Sequence, residues 1–386
     1  MAEFDIIIYG ATGFTGRLVA EYMNATHPGR PWAMAGRSAE KLAQVRDEMG
    51  LPADTSMVVA DASDPASIEA MVARAGVIIT TVGPYQAYGE PLVAACAAAG
   101  TDYVDLSGEP PFMWNMIEKY DALAKSTGAR IVHSCGFDSV PFDMGVYFLQ
   151  EQAKAKFGAP LKDVKGRVRG MRGTFSGGTA ASGMMTMKAA QGDPQVMKRL
   201  MSAFALTPGF EGPQQPHGGK PYEDTDLGAW VAPFFMAPIN TKNVHRSNML
   251  LDHAYGTDFT YEEMMFTGRG EAGQQMAEKL ATMNPMADKN GPKPGEGPSK
   301  EERENGSYDL MFTGVSDSGE RMIVGVKGDR DPGYGSTSKM LTECALCLLD
   351  EARDAPGGVL TPAPVFGDAI IERLRARAGL TFEVET

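Results

Sequence analysis

Asp5-Ile-Ile-Ile-Tyr-Gly10-Ala-Thr-Gly13-Phe-Thr-Gly16-Arg17 is the stretch whose reading decides the fold. Residues 5–9 form a continuous Ile-rich run, the pattern of a strand buried on both faces. Three glycines follow at three-residue spacing, and a helical pattern starts at residue 15. Strand, glycine turn and helix N-terminus in that order make a seat for a diphosphate. Unpaired amides and the positive end of the helix dipole face the anion, and glycine lets the backbone come close. The spacing G-x-x-G-x-x-G is looser than G-x-G-x-x-G, so the strand–turn–helix context carries the assignment. Gly10, Thr12, Gly13, Phe14, Thr15 and Gly16 are the expected cofactor contacts at this turn.

Working outward, residues 31–36 read as a second strand that ends at Arg37 and Ser38, with Lys41 one helical turn on. In a dinucleotide fold this strand tip selects the coenzyme: a carboxylate holds the ribose 2′-hydroxyl of NAD, whereas an Arg accommodates the 2′-phosphate of NADP. A guanidinium bonds the phosphate and stacks on adenine, so Arg37, Ser38 and Lys41 favour NADP(H). A third strand, 56–61, places Asp61 and Ala62 beside the adenine. Asp64-Pro65 then reads as an N-cap with proline in the first helical turn. The fourth strand, 77–82, delivers Val82, Gly83 and Pro84 to the inner ribose and nicotinamide, because ligands lie outside the carboxyl ends of parallel strands. With strands 103–107 and 129–135 and their helices, six βα-type units fall within residues 1–142. That rhythm predicts an α/β, Rossmann-type doubly wound parallel sheet.

After residue 142 the rhythm changes. A helix at 144–156 leads to an alternating strand at 164–173, then to a glycine step around Gly177 and Gly178 that opens a Met-rich helix reaching 203. Residues 208–226 read as a Gly/Pro-rich loop. In Trp230-Val-Ala-Pro-Phe-Phe-Met-Ala-Pro-Ile239 the two prolines argue against a regular inner strand, leaving a wall for an apolar substrate or interdomain packing. A strand at 261–269, a helix at 273–283, a capping box at Ser299 and Glu302, and a hairpin of 308–314 with 322–327 follow. Residues 143–330 are thus expected to form a second α+β domain with a mostly antiparallel sheet, and 331–386 to pack back on the first domain.

The bulk numbers exclude several classes. A net charge of -13 with no basic cluster argues against nucleic acid as a partner. No apolar run reaches the roughly 18 residues of a membrane span. Four cysteines in 386 residues and an N-terminus without a signal-peptide core suggest a cytoplasmic protein, association with a membrane surface being left open. Cys344-x-x-Cys347 lies in an apolar helix with no second pair, which reads as buried thiols, and no metal site is expected. The 25 methionines suit core packing or adaptable apolar contacts. If hydride comes from the coenzyme, the protein needs only a proton donor. Tyr85, His133, Asp138 and Tyr334 are the catalytic candidates at the cleft, with Tyr85 first.

Gly10-Ala-Thr-Gly-Phe-Thr-Gly-Arg17, Ala35-Gly-Arg37, Gly83-Pro-Tyr-Gln-Ala-Tyr-Gly89, Gly100-Thr-Asp-Tyr-Val-Asp-Leu-Ser-Gly-Glu109 and His133-Ser-Cys-Gly-Phe-Asp-Ser139 occur in that order. Together with Ser176-Gly-Gly-Thr179, Gly295-Glu-Gly-Pro298 and Gly357-Gly-Val-Leu-Thr-Pro362, they resemble the saccharopine dehydrogenase-like oxidoreductases, and most of all the trans-acting enoyl reductases. The resemblance implies an NADP-binding Rossmann domain and a saccharopine-reductase-type second domain. It further implies reduction of a carbon–carbon double bond in a polyketide or lipid intermediate, free or bound to a carrier. Imine (C–N) chemistry of the saccharopine type and a non-catalytic NADP-binding protein at lipid surfaces are the alternatives, and a homodimer is left open.

Overall fold

The computed structural model of the chain describes residues 2–173, 177–283 and 296–385. Its strands are β1 (Phe4–Tyr9), β2 (Trp32–Gly36), β3 (Ser56–Val59), β4 (Ala75–Thr80), β5 (Asp102–Val104), β6 (Arg130–Val132) and β7 (Asp163–Arg172). β8 (Tyr222–Asp224), β9 (Ala229–Pro233), β10 (Thr260–Gly268), β11 (Ser307–Val315), β12 (Arg321–Gly328), β13 (Gly358–Leu360) and β14 (Leu380–Glu385) complete the set. They form two seven-stranded sheets, ordered β13-β6-β5-β4-β1-β2-β3 and β14-β12-β11-β7-β10-β9-β8.

The first sheet is parallel throughout, and its strand order reverses between β1 and β4. Ile6, Ile7 and Ile8 of β1 are fully buried, as a strand covered by helices on both faces requires. The expected cap at Asp64 is present: its carboxylate accepts the Ala66 amide at 3.2 Å. The second sheet is antiparallel except for the pairing of β7 with β10, which is parallel. Helix Val140–Phe157 carries the chain from one sheet to the other, and Gly145 lets it sit on β11, where a Cβ would come within 2.2 Å of the Phe312 ring. One apolar core runs through both sheets.

Two expectations need correction. Residues 229–233 do form a strand, and β9 is paired on both sides, by β10 and β8. The two prolines cost little because Pro233 is the last strand residue and Pro238 lies in the first turn of helix Ala237–Leu250, where its missing N–H is not needed. The stretch is interior packing, with Phe234 buried against Phe142 (ring centroids 5.7 Å apart). The Met-rich helix is two helices, Gly177–Gly192 and Pro194–Met201, broken where the Asp193 side chain accepts the Gln195 amide (2.8 Å).

The segment 331–386 divides between the sheets: β13 joins the parallel sheet and β14 the second. Helix Thr337–Asp350 packs on β4 and on helix Phe14–Thr26. There the buried Glu343 carboxylate receives the Tyr22 hydroxyl and sits against His27 Nε2, each at 2.8 Å, and pairs with Arg373. Cys344 and Cys347 are buried free thiols. Among the described residues no helix is long and apolar enough to cross a membrane. Ser176 and Gly295, both in motifs quoted above, lie outside the described residues.

Candidate active site

At the end of β1 the chain turns through Gly10, whose φ of +94° is one that side chains other than glycine's resist. A Cβ there would also meet Thr81 Oγ1 at 2.7 Å and Val82 Cγ2 at 2.9 Å. The Gly13 amide donates to the Gly10 carbonyl (2.9 Å), and Gly16 packs so closely that a Cβ would lie 2.1 Å from that same oxygen. Gly13 is the N-cap of helix Phe14–Thr26 and no side chain caps it, so the first-turn amides are left for an anion. These features fit the diphosphate of NADP(H). Thr12 and Thr15 are half-buried on the same turn, and the Thr12 carbonyl accepts Arg17 Nε at 3.4 Å.

At the tips of β2 and β3, Arg37 is exposed and lies near Asp61, whose carboxylate is held below the usual range by the Ser63 amide and hydroxyl (2.9 and 2.8 Å), the Arg37 charge adding to this. Behind them, burial and then the Asp61 charge push the Tyr9 phenol up, while the Ala62 amide bonds its oxygen. Ser38 is committed locally, its Oγ capping helix Ala39–Glu48 by accepting the Lys41 amide (3.2 Å); the Lys41 side chain is exposed. Arg37→Asp is expected to raise the Kd for NADPH about tenfold or more while sparing NADH, since a 2′-phosphate would then face a carboxylate. Fluorescence titration with both coenzymes measures it, and an unchanged NADPH affinity would remove Arg37 from the site.

The Phe14 ring is engaged away from the turn. It stacks edge-on against Tyr334 (5.1 Å, 80°), lies under the Arg303 guanidinium (5.6 Å) and abuts Gly297, where a Cβ would come within 2.4 Å of it. Val82, Gly83 and Pro84 lead out of β4 into the helical turn Tyr85–Tyr88. Glu109, missed in the sequence as a functional residue, holds that turn: buried, it accepts the Tyr85 and Gln86 amides (2.8 and 2.9 Å) and the Ser182 hydroxyl (2.7 Å). Gln86 Nε2 donates to Thr186 Oγ1 (2.9 Å), so helix Gly177–Gly192 is fastened over the Gly83-Pro84 exit. An acidic residue straight after Gly108, at a strand's carboxyl end, was the available signal.

The four catalytic candidates separate clearly. Tyr85 is buried, and its hydroxyl donates to the Thr80 carbonyl (3.1 Å) and receives the Leu106 amide (3.4 Å). Burial, with the Asp105 charge next, raises its pKa well above 10, so it is placed as a strut inside the first domain. His133 is buried too, its Nδ1 2.7 Å from Asp105 Oδ2 and its ring between Phe112 and Tyr103. Tyr334 is buried against Phe14 and its amide donates to Asp331 (3.0 Å). Asp138, just beyond β6, is half-buried beside Gly108, where a Cβ would stand 3.3 Å from its Oδ2. Its carboxylate has no hydrogen-bond partner among the described residues, and desolvation raises its pKa to about 7. A carboxyl shifted towards neutrality by desolvation is suited to proton transfer.

Two more carboxyls nearby are shifted by burial, Asp143 to about 7 and Glu263 to about 8. Asp143 Oδ2 accepts the Ser247 hydroxyl (2.8 Å) and the Ala363 amide (2.9 Å). With folded pKa values above unfolded ones near 4, the native state holds protons that the unfolded chain has released. Stability therefore falls as pH rises from about 4 towards 8. The Tm is expected to be several degrees higher at pH 6 than at pH 8.5 by calorimetry; a Tm that rose over this interval would contradict the burial argument.

Residues 6–132 match the family model described as the saccharopine dehydrogenase NADP binding domain. A Mycobacterium tuberculosis protein named, provisionally, a trans-acting enoyl reductase is 44% identical over 99% of this chain and 97% of its own. A trans-acting enoyl reductase of Mycobacterium ulcerans is 40% identical over 96% of each chain. Among solved structures, apo saccharopine dehydrogenase (L-Glu forming) from Saccharomyces cerevisiae shares the fold, with a TM-score of 0.54 and 11% identity over 99% of this chain and 100% of that one.

Proposed function

Since the chain belongs to the saccharopine dehydrogenase-like oxidoreductases, alongside the trans-acting enoyl reductases, we propose that it reduces an α,β-unsaturated acyl group of an apolar substrate with NADPH. Its cofactor is NADP(H). When bound, NADPH supplies hydride for the β-carbon. Gly10, Gly13 and Gly16 shape the amide cradle for the diphosphate, Arg37 meets the 2′-phosphate, and Val82, Gly83 and Pro84 border the nicotinamide end. Asp138 gives its carboxyl proton to the α-carbon and recovers one from solvent. Glu109 fixes the 85–88 turn beneath the reacting groups.

What carries enoyl reduction over other hydride chemistry is the likeness, along 99% of this chain, to a relative that bears that name. The second domain's buried cations support an uncharged substrate. Arg167 is neutralised by Asp224 and Glu262 (2.8 Å each), and Arg246 is spent on the Leu206 and Val359 carbonyls. The test is NADPH oxidation on enoyl thioesters of increasing chain length, free or carrier-linked, against keto-acid and amine pairs. Turnover of the second set alone would replace enoyl reduction by imine reduction.

A further inference from the structure

The glycine turn assigned to the diphosphate offers amides, but its own cation is spent. Arg17 gives its Nε to the Thr12 carbonyl (3.4 Å) and its Nη1 to Glu48 (3.0 Å). Arg37 stands at the tip of β2, where the adenosine end belongs. A diphosphate is doubly charged, and this chain already has a net charge of -13. A guanidinium from elsewhere would answer that need, because its planar fork bonds phosphate oxygens in pairs.

Arg303 is held where it can supply one. Helix Lys300–Glu304 opens on a capping box, Ser299 Oγ accepting the Glu302 amide (3.2 Å) and Glu302 Oε2 the Ser299 amide (2.8 Å). The Arg303 carbonyl accepts the Asp331 amide (3.0 Å), which ties the backbone down. Its Nη1 donates to the Pro298 carbonyl (2.7 Å), and the guanidinium carbon stands 5.6 Å over the Phe14 ring. Phe14 is the first residue of the helix whose open amides face the anion, so a group on its ring borders that seat. The Pro298 bond uses one of the five N–H groups of a guanidinium, and the others have no partner among the described residues. The Asp331 carboxylate does not compete for them: it accepts the Tyr334 and Gly335 amides (3.0 and 2.7 Å). A side chain fixed by a stack and one bond, with its remaining donors open, loses little freedom on meeting an anion.

The contacts also say which end of the diphosphate it faces. Phe14 lies edge-on to Tyr334, whose turn, Pro332–Ser336, runs into Thr337. Thr337 Oγ1 accepts the Phe137 amide (2.9 Å), beside Asp138. That line leads from Arg303 to the nicotinamide end of the site. We propose that Arg303 binds the nicotinamide-side phosphate of NADP(H). The coenzyme is then gripped from both sheets, by amides after β1 and by a guanidinium from the segment that enters β11. This inference rests on the diphosphate lying at the glycine turn; it does not rest on the enoyl-reductase reading.

Binding alone tests it, by calorimetric titration with NADPH and two fragments of the coenzyme. One fragment, 2′-phosphoadenosine diphosphoribose, carries the whole diphosphate; the other, adenosine 2′,5′-bisphosphate, lacks the nicotinamide-side phosphate. The wild type is expected to prefer the first. Arg303→Gln should weaken NADPH and the diphosphoribose by about tenfold or more, as loss of a charge-assisted bond does, and leave the bisphosphate unchanged. The bisphosphate thus doubles as a check that the adenosine end is folded. Should Gln cost the fold, Arg303→Lys, which keeps the charge but loses the fork, carries the same comparison. A diphosphoribose preference that survives in Arg303→Gln, or an equal loss for both fragments, overturns the role given to Arg303. Equal affinity of the wild type for the two fragments would instead take the diphosphate away from the glycine turn, and the Arg303 contact would fall with it.

Discussion

Asp138→Asn is expected to lower kcat by about 10²–10⁴-fold with little change in NADPH affinity. The amide keeps the size and hydrogen-bonding outline of the carboxyl but has no proton to give at neutral pH. No hydrogen bond among the described residues depends on the carboxylate, so the fold has little to lose by the exchange. The alternatives are poorly placed: the Tyr85 hydroxyl is spent on the Thr80 carbonyl, and His133 lies behind Phe112 with Asp105. Steady-state kinetics beside a coenzyme fluorescence titration reads both quantities. An Asn enzyme that turns over at the wild-type rate would move the proton source to water or to another side chain.

Gly16→Val is expected to abolish NADPH binding and to destabilise the chain by several kcal/mol. The nearest atoms to an added Cβ are Gly10 O at 2.1 Å, Gly10 C at 2.7 Å and the Ala11 Cα at 2.9 Å. All three are backbone atoms of the turn itself, so no rotamer can relieve the overlap. Either helix Phe14–Thr26 lifts off β1 or the turn opens, and both spoil the cradle of amides. Gly192→Ala, where nothing stands within 4 Å of a new Cβ, is the matching control. A Gly16→Val protein with ordinary Tm and NADPH affinity would mean that the helix and turn are not packed this way.

The first sheet was legible because its signals are local: an Ile run, glycines at fixed spacing, a proline after Asp64, an Arg at a strand tip. β9 was misread because a proline's meaning depends on its place in the strand, and Pro233 stands at the end of one. Asp138 was visible as a polar residue after a strand, but so were Tyr85 and His133. Only burial and bonding partners separate the three: the Tyr85 hydroxyl is taken up by Thr80 and Leu106, and His133 by Asp105 from another strand end. Glu263 lay in the run Tyr261-Glu-Glu-Met-Met, where a carboxylate inside a strand was the one hint. Its partner Asn240 comes from another element, and no spacing rule connects them.

β13 and β14 enter different sheets within the last thirty residues, and this bears on how the molecule is made. During synthesis the first six strands leave the ribosome early, yet the parallel sheet lacks an edge strand and the helix over β4 until the final stretch emerges. The half-built coenzyme domain must wait with that apolar surface uncovered while roughly two hundred further residues are added. Chaperone dependence is thus expected to centre on this interval, and the order of synthesis makes closure of both sheets a single late event.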